Sequence, residues 1–244
     1  MVSSIDSFLP SSYSTPQEIG VPVFWLDVPN SSKRILINNN EIFCFLDFAS
    51  TASICHINRT ETTERTTLTT INGKPALQGR TTTGFLFSFI PVFNTELTFF
   101  IVYKNNDGLL FSMLGNNPGL FNVFLLDDSG VTFDNSVVAA VPELDDNESH
   151  ILSVRWKSDP GDILVKVDDK IESSIGTKTT DNKIGGPGGR GFFNTLLMTN
   201  ISSTIGSNGA VGEVIYYYNY MNDNNFNKIG NYLCSKWKLP WSNV

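Results

Sequence analysis

Short runs of Phe, Val, Ile and Leu, each bounded by Asn, Asp, Gly, Pro or Ser, recur along the chain from Val21 onward. Val21 to Asp27, Ile42 to Phe48, Phe85 to Phe93, Leu97 to Tyr103, Leu120 to Leu126, His150 to Trp156, Ile163 to Val167 and Val211 to Tyr218 have the length and composition of strands. Apolar segments this short and this frequent predict an all-β sandwich or barrel, because a strand buries its apolar face only against another sheet.

Turn chemistry pairs some neighbours. Asn105-Asn106-Asp107-Gly108 supplies residues that tolerate positive φ, and it predicts a hairpin between the Leu97 and Leu109 runs. Ser158-Asp159-Pro160-Gly161 predicts a second hairpin. In that one, Leu152, Val154 and Trp156 alternate with Ser153 and Arg155, and Ile163, Val165 and Val167 alternate with Lys166 and Asp168. Each strand is expected to bury one face, in layers of sheet on sheet. The Thr-rich segment 60–70 fits either a solvated strand or a long loop.

Only the C-terminus changes period. Asn222 suits a helix cap, Phe226, Ile229, Leu233 and Trp237 follow at helical spacing, and Lys236 and Lys238 fall at the negative end of the dipole. Residues 1–20, with Ser, Pro and Thr and scattered apolar positions, read as an extended arm. The 244 residues leave room for one large or two small domains at about 150 residues each. With no repeat and no linker, one domain over 21–244 is expected. A chain of this size buries about 72% of its unfolded surface, so the core needs no staples.

Charge and composition exclude several partners. Lys and Arg number 17 against 24 Asp and Glu, a net charge of −7, which gives no global support to neutralising phosphates, so nucleic acid is not an expected partner. Hydrophobic residues at 41% and a mean hydropathy of −0.06 argue against disorder. No stretch has the length of a membrane span, no membrane partner is expected, and the N-terminus lacks a secretory pattern. The chain reads as made in a cytoplasm, whether or not it stays there. Cys44, Cys55 and Cys234 have no paired spacing and read as buried thiols rather than a disulfide framework or zinc site. The sequons at Asn30, Asn58, Asn147 and Asn200 read as chance in an Asn-, Ser- and Thr-rich chain.

Several stretches, taken in order, resemble one family. Phe24-Trp25-Leu26-Asp27 resembles an opening "LWLDA" strand, and Ile71-Asn72-Gly73-Lys74-Pro75-Ala76-Leu77 an "NGKPAL" segment. His150 to Asp169 resembles a "V-D-G" hairpin, with Asp169 where glycine usually stands. Gly212 to Tyr218 followed by Tyr232 to Leu239 is similar to a "GEVIIYNR…YLAxKWGL" ending. These are marks of laminin-G-like jelly rolls in the concanavalin A-like lectin/glucanase superfamily. The resemblance implies two curved antiparallel sheets, with glycans bound on the concave face or in the loops above it. It also implies that Glu213, Tyr232, Leu233 and Trp237 hold strand to helix, and it points to phage and large-virus particle proteins.

The chemistry-bearing residues read mostly as structure. A retaining glucanase needs two carboxylates about 5 to 5.5 Å apart, and no E-x-D-x-E strand is present. Glu213 is followed by Ile215, Glu143, Asp145, Asp146 and Glu148 lie in a loop-like acidic stretch, and Asp168, Asp169 and Glu172 straddle a turn. Cys55 and His56 are adjacent and so point to opposite faces of a strand, and His150 starts a strand in a structural position. Gly186 to Gly191 matches a dinucleotide fingerprint only on paper, and it reads as a loop whose Arg190 is placed to touch a ligand. Asn105, Asn106, Asp107, Asp127 and Asp128 have the oxygens that calcium takes, but turn formation explains them, so no cofactor or metal is assigned. Tyr216, Tyr217, Tyr218 and Tyr220 form a stripe of which alternation is expected to leave some outside, facing a glycan or a protein.

The fold expected is a two-sheet antiparallel jelly-roll sandwich of concanavalin A-like type with one short C-terminal helix and an N-terminal arm. The leading functional expectation is a non-enzymatic structural protein of a virus particle, partnered by other virion proteins or copies of itself, whose surface also binds host glycans. A carbohydrate-binding module or adhesin is the alternative, and a glycoside hydrolase or lyase the third. No catalytic or metal-binding residue is assigned, and the ligand-binding residues stay open.

Overall fold

The computed structural model describes residues 14–29, 34–37, 41–46, 54–56, 67–79, 85–91, 96–105, 111–114, 122–127, 130–133, 136–157, 162–172, 192–197 and 208–244. The elements run α1 (Pro16–Ile19), β1 (Phe24–Asp27), β2 (Arg34–Ile37), β3 (Glu41–Leu46), β4 (Ile54–His56), β5 (Thr67–Ile71), β6 (Lys74–Gln78), β7 (Phe85–Pro91), β8 (Glu96–Lys104), β9 (Phe111–Leu114), β10 (Asn122–Asp127), β11 (Gly130–Phe133), β12 (Ser136–Ala139), β13 (Ser149–Lys157), β14 (Ile163–Val167), β15 (Lys170–Glu172), β16 (Phe192–Leu197), β17 (Ala210–Tyr217) and α2 (Asp223–Trp237). All described pairings are antiparallel. One layer runs β5-β6-β17-β8-β13-β14-β15, with β1 beside β6 on the same edge of β17. The other runs β2-β3-β4-β7-β16-β9-β10-β11-β12. A single pair, Glu41 opposite Thr67, joins them.

This is the all-β sandwich expected, closed by one C-terminal helix, and the segment from Thr67 settles as a strand. One turn differs. Among the described residues β8 pairs with β13 and β17, whereas β9 pairs with β10 and β16. Asn105 therefore leads a crossover between layers rather than a hairpin. Its side chain is buried and donates to the Leu144 carbonyl at 2.8 Å, while its own carbonyl accepts from Asn147 N–H at 2.8 Å. Turn-forming residues mark a change of direction, and only partner strands decide whether the chain folds back on itself. The second hairpin is formed, with Trp156 opposite Ile163.

The central strands of the first layer, β17, β8, β13 and β14, are buried on both faces, which corrects the expectation of one apolar face per strand. Phe99, Ile101, Tyr103, Leu152, Val154, Trp156, Val165, Val214 and Tyr216 face the second layer, meeting Leu126, Val131 and Ala139. Phe100, Val102, Ile151, Ile215 and Tyr217 face the other way, onto Phe226, Ile229, Tyr232, Leu233 and Trp237 of α2. Ser153, Arg155 and Lys166 are buried on that helix side. Arg155 lies 4.4 Å from the Phe226 ring centroid and donates to the Met221 carbonyl and to Asp223 at 2.9 and 2.7 Å. Lys166 sits 4.7 Å from the Trp241 ring and donates to Ser242 Oγ at 3.0 Å. Polar residues that mark an outer face in an open sheet are here engaged beneath the C-terminal segment, although Arg155 Nε is buried without a hydrogen-bond partner.

Local chemistry fixes α2. The Asn222 side chain accepts from Asn225 N–H at 2.9 Å at the N-terminus. At the other end the Asn72 amide, from the β5–β6 turn, donates to the Trp237 carbonyl at 2.9 Å. Within 14–20, the last part of the segment read as an extended arm, α1 forms one helical turn, and the Pro16 carbonyl accepts from Tyr217 OH at 2.9 Å. Among the described residues no helix is long and apolar enough to cross a membrane.

The join between β17 and α2 depends on Gly212. The β8–β17 register shifts between Val211 and Glu213, so Val211 and Val214, three apart, both face the inter-layer core. A Cβ on Gly212 would lie 2.3 Å from the Trp237 ring. Gly212→Ala is expected to lower stability by about 1–3 kcal/mol, the range for overpacking a filled core, with a matching fall in the urea unfolding midpoint.

Candidate functional site

Two polar constellations and one cleft are formed by the described residues. The deepest constellation surrounds Glu213, which is buried. Its Oε1 accepts from the Trp25 indole N–H at 2.8 Å and from Tyr232 OH at 3.0 Å. Its Oε2 accepts from the Trp237 indole N–H at 2.8 Å and pairs with Lys236 Nζ at 2.8 Å. Lys236 also pairs with Asp27 at 2.7 Å and donates to Tyr232 OH at 2.9 Å. Burial alone would lower the Lys236 pKa, but the charges of Glu213 and Asp27 and its bonds to them outweigh that and raise it. Lys236 is therefore a buried ion-pair partner, not the exposed dipole-neutralising cation its position at the helix end suggests.

A carboxylate beside a tyrosine and a second carboxylate across the strand pair invites a catalytic reading. The geometry argues for structure: Asp27 and Glu213 both hold Lys236, and two tryptophans seal Glu213 from solvent. Burial is also the main reason the Tyr232 pKa lies well above its usual value, helped by Glu213 and Asp27. Glu213→Gln is expected to cost about 1.5–3 kcal/mol, the range for hydrogen bonds to a charged group, because Asp27 still holds Lys236, and denaturant unfolding measures it.

The second constellation is centred on His150. Its Nδ1 lies 2.7 Å from Asp168 Oδ2, and its Nε2 lies 3.0 Å from Asp146 Oδ2. Asp168, in a left-handed conformation at φ 52°, also accepts from Ile151 N–H at 2.8 Å. Both ring nitrogens face carboxylates, so only the imidazolium donates to both. Burial by itself would lower the His150 pKa, yet Asp168 and then Asp146 more than reverse this and raise it above 6.5. The sign follows from linkage. A pKa raised on folding gives stability that is complete below the unfolded value and is lost as pH rises through the folded one. Unfolding midpoints are expected to decline across that window, more steeply than in His150→Gln.

The remaining acidic candidates are also engaged or exposed. Glu143 pairs with Lys170 at 3.1 Å, the Asp169 carbonyl accepts from Ser242 at 2.8 Å, and Asp145 and Glu148 are exposed. Among the described residues no group of three or more His, Cys, Asp and Glu is placed to hold a metal ion. Asn106, Asp107, Asp128 and Arg190 lie outside the described residues, as do the side chains of Asp127, Cys55 and His56. Cys234 is a half-buried free thiol.

The tyrosine stripe is divided, with Tyr218 and Tyr220 only half-buried. Tyr216 is buried between the layers and Tyr217 beneath α1 and α2, because helices cover the face that alternation would have left open. Tyr218 packs edge-on against Tyr216 at 5.2 Å, and Tyr220 stacks under Arg155 and Lys157 at 5.0 and 4.9 Å.

Among the described residues, Thr69, Thr70, Gln78, Lys104, Asn147, Asn208, Gly209 and Ala210 line a polar cleft of about 140 Å³. It sits at one end of the first layer, where β6, β8 and β17 meet: Ala210 lies opposite Gln78 on one side and Lys104 on the other. The Gln78 amide donates to the carbonyls of Asn208 and, at 3.2 Å, Gly209, fixing the segment that leads into β17. Asn147, held at φ 61° with its N–H bonded to Asn105, forms another wall. No sequence motif marks this site, since its residues come from separate segments brought together only by strand pairing.

No protein-family model and no curated protein sequence matches the chain. Among solved structures, the sialidase of Trypanosoma rangeli is similar at a TM-score of 0.56 and 13% identity, covering 92% of this chain and 36% of that one. The same sialidase with the inhibitor DANA gives a TM-score of 0.56 and 9% identity, covering 77% and 30%. The CBM40 of the Ruminococcus gnavus IT-sialidase gives 0.44 and 12%, covering 57% and 84%. The chain thus spans about a third of the length of the sialidase chains, and what it shares with them is a fold.

Proposed function

We propose that this chain is a non-catalytic carbohydrate-binding domain of concanavalin A-like type, one domain over 21–244 preceded by an arm over 1–20. The observation that carries this reading is the cleft, whose lining includes the hydroxyl residues Thr69 and Thr70 and the amide residues Gln78, Asn147 and Asn208. Sugars present clustered hydroxyls, each donor and acceptor, and such side chains answer both roles. The fold it shares with a sialidase, a protein solved with sialic acid, supports the same reading. Binding rather than hydrolysis fits the carboxylates, because Asp27, Glu213, Asp146 and Asp168 are all committed to Lys236 or His150.

The part in a virus particle anticipated from the sequence draws no support from the fold likeness, so recognition becomes the leading reading. Titration of the purified chain on a glycan array tests it. Reproducible millimolar or tighter binding is expected, weakened about 2- to 10-fold by Asn208→Ala, the worth of one or two hydrogen bonds. Silence across the array, or release of reducing sugar, would count against it.

A further inference from the structure

We propose that the cleft takes the carboxylate-bearing end of an acidic sugar and that Lys104 is its counter-ion, an inference that rests on the carbohydrate-binding reading above. Three observations on the cleft carry it.

The first is the balance of charge. The chain has 17 basic and 24 acidic residues, yet of the described residues that line the cleft Lys104 is the ionic one and none is a carboxylate. Of the acidic residues that flank Asn147, Asp146 is held by His150 at 3.0 Å and Glu148 is exposed. Lys104 itself makes no ion pair with a described residue. A lysine among neutral lining residues favours a negative ligand, since a charge-assisted hydrogen bond is stronger than a neutral one.

The second is what the wall lacks. None of the lining residues is aromatic, so the apolar face of a neutral sugar ring finds no stacking surface among them. The affinity has to come from hydrogen bonds and charge. A carboxylate flanked by hydroxyls supplies both.

The third is rigidity. The Lys104 backbone is fixed on both sides, opposite Ser149 in β13 and Ala210 in β17. Gln78 on β6 is tied to the Asn208–Gly209 backbone, and Asn147 to Asn105. Because the supports are strand pairs and buried bonds, little ordering is left to be done on binding, which favours affinity.

The test uses the full chain and four probes: α2,3-sialyllactose against lactose, and glucuronic acid against glucose, by titration calorimetry at low and high salt. At least one acidic probe is expected to bind about tenfold or more tightly than its neutral counterpart, with the preference shrinking as salt rises. Lys104→Gln is expected to erase the preference and Lys104→Arg to keep most of it, with unfolding midpoints confirming that both fold. The acidic-to-neutral ratio and its salt dependence are read on the unmodified chain, so the proposal stays falsifiable even if Lys104→Gln fails to fold. Equal binding of acidic and neutral probes, unmoved by salt, overturns the acidic ligand while leaving carbohydrate binding intact. Binding of none of the four, with a silent glycan array, overturns both.

Discussion

The buried Glu213 carboxylate is the interaction on which the rest of the structure depends. Two indole N–H groups, a tyrosine hydroxyl and a lysine ammonium meet it from β1 and α2. A carboxylate placed in an apolar interior costs several kcal/mol unless its lone pairs are filled. Here every partner arrives only when β1 lies beside β17 and α2 lies across both. The cluster therefore acts as a check on assembly: a helix shifted by one turn, or a strand slipped by one residue, would leave a charge stranded. Gly212 belongs to the same device, since its bulge turns Glu213 toward the helix and its missing side chain admits the Trp237 ring.

Covering the first layer on both sides has consequences for function. Ile151 to Trp156 and Ala210 to Tyr217 are buried without a break, so the long strands hold no solvent-facing side chains over these stretches. The cleft lies at the end of these strands, built from strand ends and the segments that feed them, where backbone pairing gives a rigid frame. Catalytic-looking groups follow the same division: those under the helix or at the His150 corner are spent on each other, and the unspent polar groups lie at the rim.

Much of the architecture was legible in the residues themselves. Turn chemistry and period-2 alternation in Leu152 to Trp156 and Ile163 to Val167 identified a hairpin that is found, and Asn222 with Phe226, Ile229, Leu233 and Trp237 identified the helix and its cap. Failures came where the answer lay in a partner far along the chain. Asn105 to Gly108 has the composition of a hairpin turn, but β8 finds its neighbours in β13 and β17, beyond any local signal. Arg155, Lys166 and the tyrosines of β17 looked solvent-facing because polarity and alternation report one face at a time. They cannot report that a helix some tens of residues away will cover the other. The cleft left no trace at all, because Thr69, Gln78, Lys104, Asn147 and Asn208 become neighbours only through pairing.

The sequence by itself determined an all-β sandwich and the closing helix, while its resemblance to a known family implied that Glu213, Tyr232 and Trp237 join the two. The sandwich and the helix follow from short-range periodicity and capping chemistry. Tertiary structure alone decided which layer each strand enters, that one layer is covered twice, and where polar groups remain unspent. Each of these depends on contacts between distant segments, and the free energy of such contacts is a property of the assembled core rather than of any window of the chain.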